Sequence, residues 1–123
     1  MSLDAFPQKS NSAGIVAHVV QGVGASSSVT QLNGPGVTLT RTGTGLYLLT
    51  WSDPPGNFLG ATWGLSATTA ANIAGHTVAF GLYAAAGTMA VSVYNASDTL
   101  HDLAALEWLT VVSYFSATNV NAS

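Results

Sequence analysis

An all-β fold is predicted: an antiparallel β-sandwich, jelly-roll-like, of about eight strands with an extended N-terminal arm. Three observations predict it. Apolar and polar residues alternate with period two in one segment after another, as in strands with one buried face. Blocks of Gly, Pro, Asn, Asp and Ser interrupt that alternation roughly every 8–12 residues. No segment sustains the 3.6-residue spacing of an amphipathic helix. A chain of 123 residues fits one domain, divided into an arm at 1–13, the sandwich at 14–118 and a tail at 119–123.

The elements follow in chain order. In the arm, Leu3 and Phe6 stand alone among polar residues. Ile15 to Val20 read as the first strand and Gln21 to Ser28 as a Gly/Ser loop. A short strand follows at Val29–Leu32, closed by the turn block Asn33-Gly34-Pro35-Gly36. Residues 37–51 then form a hairpin around Gly43-Thr44-Gly45. Two turns compete. A two-residue loop at Gly43-Thr44 would align Val37 and Leu39 with Leu48 and Thr50. A three-residue loop with Gly45 left-handed in a bulge aligns Val37, Leu39 and Arg41 with Tyr47, Leu49 and Trp51. The second separates an apolar face from a hydroxyl face, and burial of one face sets register. It also sets Arg41 opposite Tyr47, with the guanidinium either on the ring face or reaching solvent.

Ser52 to Asn57 form a rigid loop, and Phe58 to Thr69 alternate again, with Trp63, Leu65 and Ala67 on one face. Ala70 to Gly75 make a loop or one helical turn. Thr77 to Ala85 set Val78, Phe80 and Leu82 against Ala79, Gly81 and Tyr83. After the tight connection at 85–87, Thr88 to Tyr94 place Met89, Val91 and Val93 on one face. Asn95 to Ala105 is a long connection, and Leu106 to Ser116 is the last strand.

Charge is the unusual quantity. Only 6% of residues are Asp, Glu, Lys or Arg, against about 25% in an ordinary soluble domain. None lies between Asp53 and Asp98. Two basic residues and a net charge of −3 leave no footprint for a nucleic-acid backbone or a polybasic membrane contact. The uncharged stretch is broken by Gly56, Asn57, Gly60, Asn72 and His76, so it does not read as a membrane span. The start has an acid at Asp4, Pro7 and no apolar run, so no signal peptide is expected. A non-secreted, soluble protein follows as an expectation. There is no cysteine, and hence no disulfide framework or thiolate site. So little charge is a solubility risk for a free monomer, which burial against copies of itself or a larger particle relieves.

The material for catalysis is thin. Asp98, His101 and Asp102, with Glu107 nearby, are ligand types for Zn or Mn. Their spacing matches no structural zinc pattern, and the stretch reads better as a solvated loop with Asp102 capping a short helical turn through Leu103 and Ala104. His18 and His76 read as strand residues facing solvent. No nucleophile elbow, paired carboxylate or dinucleotide fingerprint is present. Asn95-Ala96-Ser97 and Asn121-Ala122-Ser123 match the glycosylation pattern, which goes unmodified without a signal peptide. Trp51, Trp63, Trp108, Tyr47, Tyr83, Tyr94 and Tyr114 read as core and interface, with a carbohydrate-stacking surface as the alternative. No catalytic, cofactor or metal residue is assigned, and no enzyme activity is expected.

Two segments carry a family resemblance. The pattern Val-x-Leu-Thr-Arg-Thr-Gly-Thr-Gly-x-Tyr at 37–47, with alternation to Trp51, resembles a recurring strand pair in virion proteins of tailed bacteriophages. Asp102 to Leu109 and then Val111 to Phe115 resemble the last loop and strand of the same domains. The resemblance implies a β-sandwich that decorates capsids, usually as a homotrimer, or forms the head of a fibre or spike. Its Arg and Tyr match Arg41 and Tyr47, and no site residues transfer. The expectation is a homotrimeric capsid decoration or cement protein that stabilises a phage shell on the virion surface. Its partners would be copies of itself and the major capsid protein, with no nucleic acid, membrane or cofactor. Leu3 and Phe6 on the arm, and Trp63, are the candidate partner contacts. A receptor- or glycan-binding fibre head is the alternative, and a small enzyme a second one.

Overall fold

The computed structural model describes residues 14–117 apart from 26, 55 and 85. The arm with Leu3 and Phe6 and the tail at 119–123 therefore lie outside the described residues. Eight strands form two antiparallel sheets. They are β1 (Ile15–Ala25), β2 (Ser28–Asn33), β3 (Val37–Gly43), β4 (Leu46–Trp51), β5 (Gly56–Ala67), β6 (Thr77–Phe80), β7 (Thr88–Tyr94) and β8 (Glu107–Ala117). A 3₁₀ turn at Ala70–Ile73 follows β5. The first sheet has the order β2-β1-β8-β5 and the second β3-β4-β7-β6. The first strand thus pairs with the last, Ile15 opposite Ser116 through Val23 opposite Trp108.

Alternation decides which residues meet between the sheets. From the second sheet come Val37, Leu39, Tyr47, Leu49, Trp51, Val78, Met89, Val91 and Val93, and from the first come Val20, Leu109, Val111 and Phe115. The hairpin has the register expected from burial: Val37 opposite Trp51, Leu39 opposite Leu49 and Arg41 opposite Tyr47. A bulge falls between Arg41 and Gly43, and Gly45 is left-handed at φ 69°.

Four expectations are corrected. The first strand does not stop at Val20 but runs to Ala25, pairing with both β2 and β8. Its Gly22 and Gly24 are packing residues rather than loop residues. A Cβ on Gly24 would run into the Leu103 and Ala104 carbonyls, so only glycine lets the two backbones approach. Second, β6 ends at Phe80, because the chain leaves the ladder at Gly81. Leu82, expected beside Val78 and Phe80, is 90% exposed. Tyr83, expected on the opposite face, turns inward and stacks on Phe58 with ring centroids 4.7 Å apart. Third, no helical turn follows Asp102; the carboxylate has other partners, described below. Fourth, β5 begins at Gly56 and carries a bulge between Phe58 and Gly60, which turns Leu59 outward to 55% exposure.

The two long sides of the sandwich differ. On the β2–β3 side, the Gln31 amide stands in for a strand partner. Its Nε2 donates to the Val37 carbonyl at 2.6 Å, and its Oε1 accepts from the Leu39 N–H at 2.9 Å. Two groups on the free edge of β3 are thereby satisfied. On the β5–β6 side, a 12-residue strand in one sheet faces a four-residue strand in the other. That side is left partly open.

The hairpin tip is seated against the chain that follows β7. The Gly45 carbonyl accepts from the Val93 N–H at 2.8 Å. A Cβ at Gly45 would meet the His101 nitrogen at 2.6 Å and the Val93 oxygen at 2.9 Å. The left-handed backbone costs an L-residue roughly 1–2 kcal/mol, and overpacking adds roughly 1–3 kcal/mol. Gly45→Ala should therefore lose roughly 2–5 kcal/mol in urea unfolding. Asn tolerates the dihedral but not the overlap, so Gly45→Asn should still lose roughly 1–3 kcal/mol. A negligible loss in both variants would contradict this seating.

Candidate functional site

Of the ionisable residues singled out in the sequence, Arg41, His76, His101, Asp102 and Glu107 converge at the end of the sandwich that holds the hairpin tip, and Asp98 and His18 do not join them. Arg41 reaches Asp102 with two parallel bonds, Nε to Oδ1 at 2.9 Å and Nη2 to Oδ2 at 2.8 Å. Asp102 Oδ1 also accepts from the Gly45 N–H at 2.7 Å. So Arg41 neither lies on the Tyr47 ring nor simply reaches solvent. The Tyr47 hydroxyl, inside the core, accepts from the Leu103 N–H at 2.9 Å. Glu107, 6% exposed at the start of β8, accepts from the Ala104 N–H at 2.8 Å and faces His101 Nε2 at 3.3 Å. His76 stands edge-on to His101 with ring centroids 4.7 Å apart. Asp98 is exposed in a turn held by the Asn95 side chain, whose Oδ1 accepts from Ser97 and Thr99.

These contacts hold the Asn95–Leu106 connection across the end of the sandwich, with Leu103 driven into the core at 1% exposure. Arg41 and the Gly45 N–H draw the Asp102 carboxyl below the usual carboxylate range. Burial pushes the Tyr47 phenol up, against the pull of the Leu103 N–H. Arg41, Tyr47, Asp102 and Glu107 are each engaged with a neighbour in the fold, so the cluster works as a clasp. Among the described residues, no three His, Asp or Glu side chains are placed to hold a metal ion.

His18 and His76 do not face solvent as strand residues. His18 packs on Phe115 with centroids 5.8 Å apart, and its Nδ1 is buried without a partner. His76 precedes β6 and has a buried Nε2. The aromatics divide. Trp51, Phe58, Tyr83 and Phe115 form one cluster with centroid separations of 4.7 to 6.5 Å. Trp63 lies on the core side of β5, opposite Val111, yet is 39% exposed at the open side of the sandwich. At the end opposite the clasp, an open cleft of about 720 Å³ is lined by Pro54, Asn57, Phe58, Leu82 and Tyr83. Its exposed Leu82 had no signal in the sequence, because alternation assigned it to the core.

The outer faces are the larger feature. On the first sheet, rows read Val19, Val112, Thr62 and Val23, Trp108, Ser66 across the strands. On the second, Thr38, Thr50 and Thr88 form one row, and Thr40, Leu48 and Ala90 the next. Neither face carries a charged side chain among the described residues. Among the described residues the charged side chains are Arg41, Asp102 and Glu107 in the clasp, and Asp53 and Asp98 in exposed loops. Among the described residues, no helix is long and apolar enough to cross a membrane. No protein-family model, curated protein or solved structure matches the chain.

Two outcomes are expected. Tyr47→Phe strands the buried Leu103 N–H and should cost about 1–3 kcal/mol in urea unfolding, with little change in far-ultraviolet dichroism. The Asp102 carboxyl, held low in the folded chain, contributes stability that is present above the unfolded-state pKa and lost as pH falls through the folded one. Asp102→Asn should lower the thermal midpoint at neutral pH and make the loss of stability on acidification below about pH 4 shallower. An unchanged acid limb in that variant would contradict the clasp.

Proposed function

We propose that the chain is a structural virion protein that decorates or cements a phage shell, acting mechanically and without catalysis. The observation that supports it is the absence of charge from both outer sheet faces, which leaves rows of Thr, Ser, Ala, Val and Leu over the whole sandwich. Charge depletion with apolar and hydroxyl side chains suits the centre of an interface better than a solvated surface. The resemblance of 37–47 and 102–115 to phage virion domains supports the kind of particle. Seated on junctions of the major capsid protein, many copies would each raise the work of separating neighbouring shell subunits. Specific contacts of this type bury about 1,200–2,000 Å².

A fibre-head role draws on one observation, the open cleft with the stacked Phe58–Tyr83 pair beside exposed Leu82. A half-buried aromatic pair that opens on a cleft suits stacking on an apolar sugar face.

Purified protein added to shells that lack decoration should co-sediment to a fixed ratio per shell subunit and raise the temperature at which the shells break. Absence of binding to such shells, with binding to a host glycan at the cleft instead, would favour the fibre head. Leu3 and Phe6 are the arm residues proposed to reach the shell. Burying both contributes roughly 3–6 kcal/mol at most. Deleting residues 2–12 should leave the thermal midpoint of the free protein nearly unchanged and weaken shell binding tenfold or more, as losing about 1.4 kcal/mol does. Unfolding of the free protein by that deletion would assign the arm to the sandwich instead.

A further inference from the structure

The open side of the sandwich is bordered by β5, a strand with features that edge strands normally avoid. It is 12 residues long and contains no charge and no proline among its described residues. Apart from its ladder with β8, no hydrogen bond among the described residues reaches the backbone of Gly56 to Ala67. Edges of this length are usually protected by lysine, proline, a bulge or a covering segment. Here the bulge between Phe58 and Gly60 interrupts only the first part. Residues Ala61 to Ala67 run without interruption. The β3 edge, by contrast, is engaged by Gln31 at Val37 and Leu39.

We propose that β5 is the seat of self-association, pairing antiparallel with β5 of a second copy to join two four-stranded sheets into one. The charge pattern argues for a copy of this chain as occupant. Two copies of β5 meet without like-charge repulsion, because β5 belongs to a stretch with no charge from Pro54 to Ser97. Full overlap of the uninterrupted run places the twofold axis at Gly64. Trp63 of one copy then faces Leu65 of the other on the core side, and Thr62 faces Ser66 on the outer side. Aromatic–aliphatic and hydroxyl–hydroxyl pairs of this kind stabilise antiparallel ladders. Trp63, 39% exposed in one copy, becomes covered. Such an isologous contact closes at two copies, in place of the three that the resemblance implies. The inference draws on the self-association expected from the charge-poor composition, not on the particle.

Gly64 offers a clean test. A Cβ there meets nothing within 4 Å, and the chain has no cysteine. Directly opposed residues in an antiparallel pair have Cα atoms about 4.5–5.5 Å apart, within disulfide reach. Full-length Gly64→Cys, oxidised without shells, should give a covalent dimer on a non-reducing gel. Thr30→Cys on the distant β2 edge should stay monomeric. Light scattering of the parent should give twice the chain mass, and Gly64→Lys should give the single-chain mass with an unchanged far-ultraviolet spectrum. A monomeric Gly64→Cys, equal cross-linking at Thr30, or a threefold mass would overturn the pairing. So would loss of the dimer on deleting residues 2–12, which would make the arm the occupant. Shell binding is measured separately, so failure of the cross-link leaves the particle reading standing.

Discussion

Everything at one end of this sandwich depends on a single carboxylate. Asp102 accepts two bonds from Arg41 and one from the Gly45 N–H, so it ties the β3–β4 hairpin tip to the connection before β8. With that connection in place, Leu103 fills the core and its N–H reaches the Tyr47 hydroxyl. The Leu103 carbonyl then lies against Gly24 of β1, where a side chain would not fit. One connection thus touches both sheets. Sequestering three of the chain's few charged residues in this clasp also leaves the sheet faces bare of charge.

The hairpin was legible because a physical requirement selects its register. Burying one face admits a single alignment of Val37, Leu39 and Arg41 with Tyr47, Leu49 and Trp51, and a left-handed Gly45 follows. The strand layout was legible for the same reason. What was not legible depends on contacts distant in sequence. Gly22 and Gly24 read as loop because glycine is ordinarily a breaker, yet the close approach of Leu39 and of the Leu103 carbonyl requires them inside β1. Leu82 and Tyr83 exchanged roles because β6 ends at Phe80, five residues earlier than alternation suggests. The partner of Asp102 lies 61 residues away, which no local pattern reports.

The functional surface was legible only as an absence. A charge-poor composition says that large areas are neutral, and the fold adds where: both outer faces and the whole of β5. It also distinguishes the two sides of the sandwich, one closed by Gln31 and the other left open beside Trp63. Trp63 was singled out from the sequence on general grounds. Its position on the core side of an uncovered edge supplies the physical reason.

The central pairing of β1 with β8 bears on how the chain reaches this state. The middle of the first sheet joins Ile15–Ala25 to Glu107–Ala117, segments separated by nearly the whole domain. Closing so long a loop is entropically demanding, and folds dominated by such pairings form slowly. Until β8 is available, β1 has only β2 beside it, and β5 has no partner strand at all. During that interval two long, neutral strands are exposed with nothing to discourage pairing between chains. The order of strands that gives the finished sheet its centre therefore leaves the newly made chain open to pairing with its neighbours until β8 is in place.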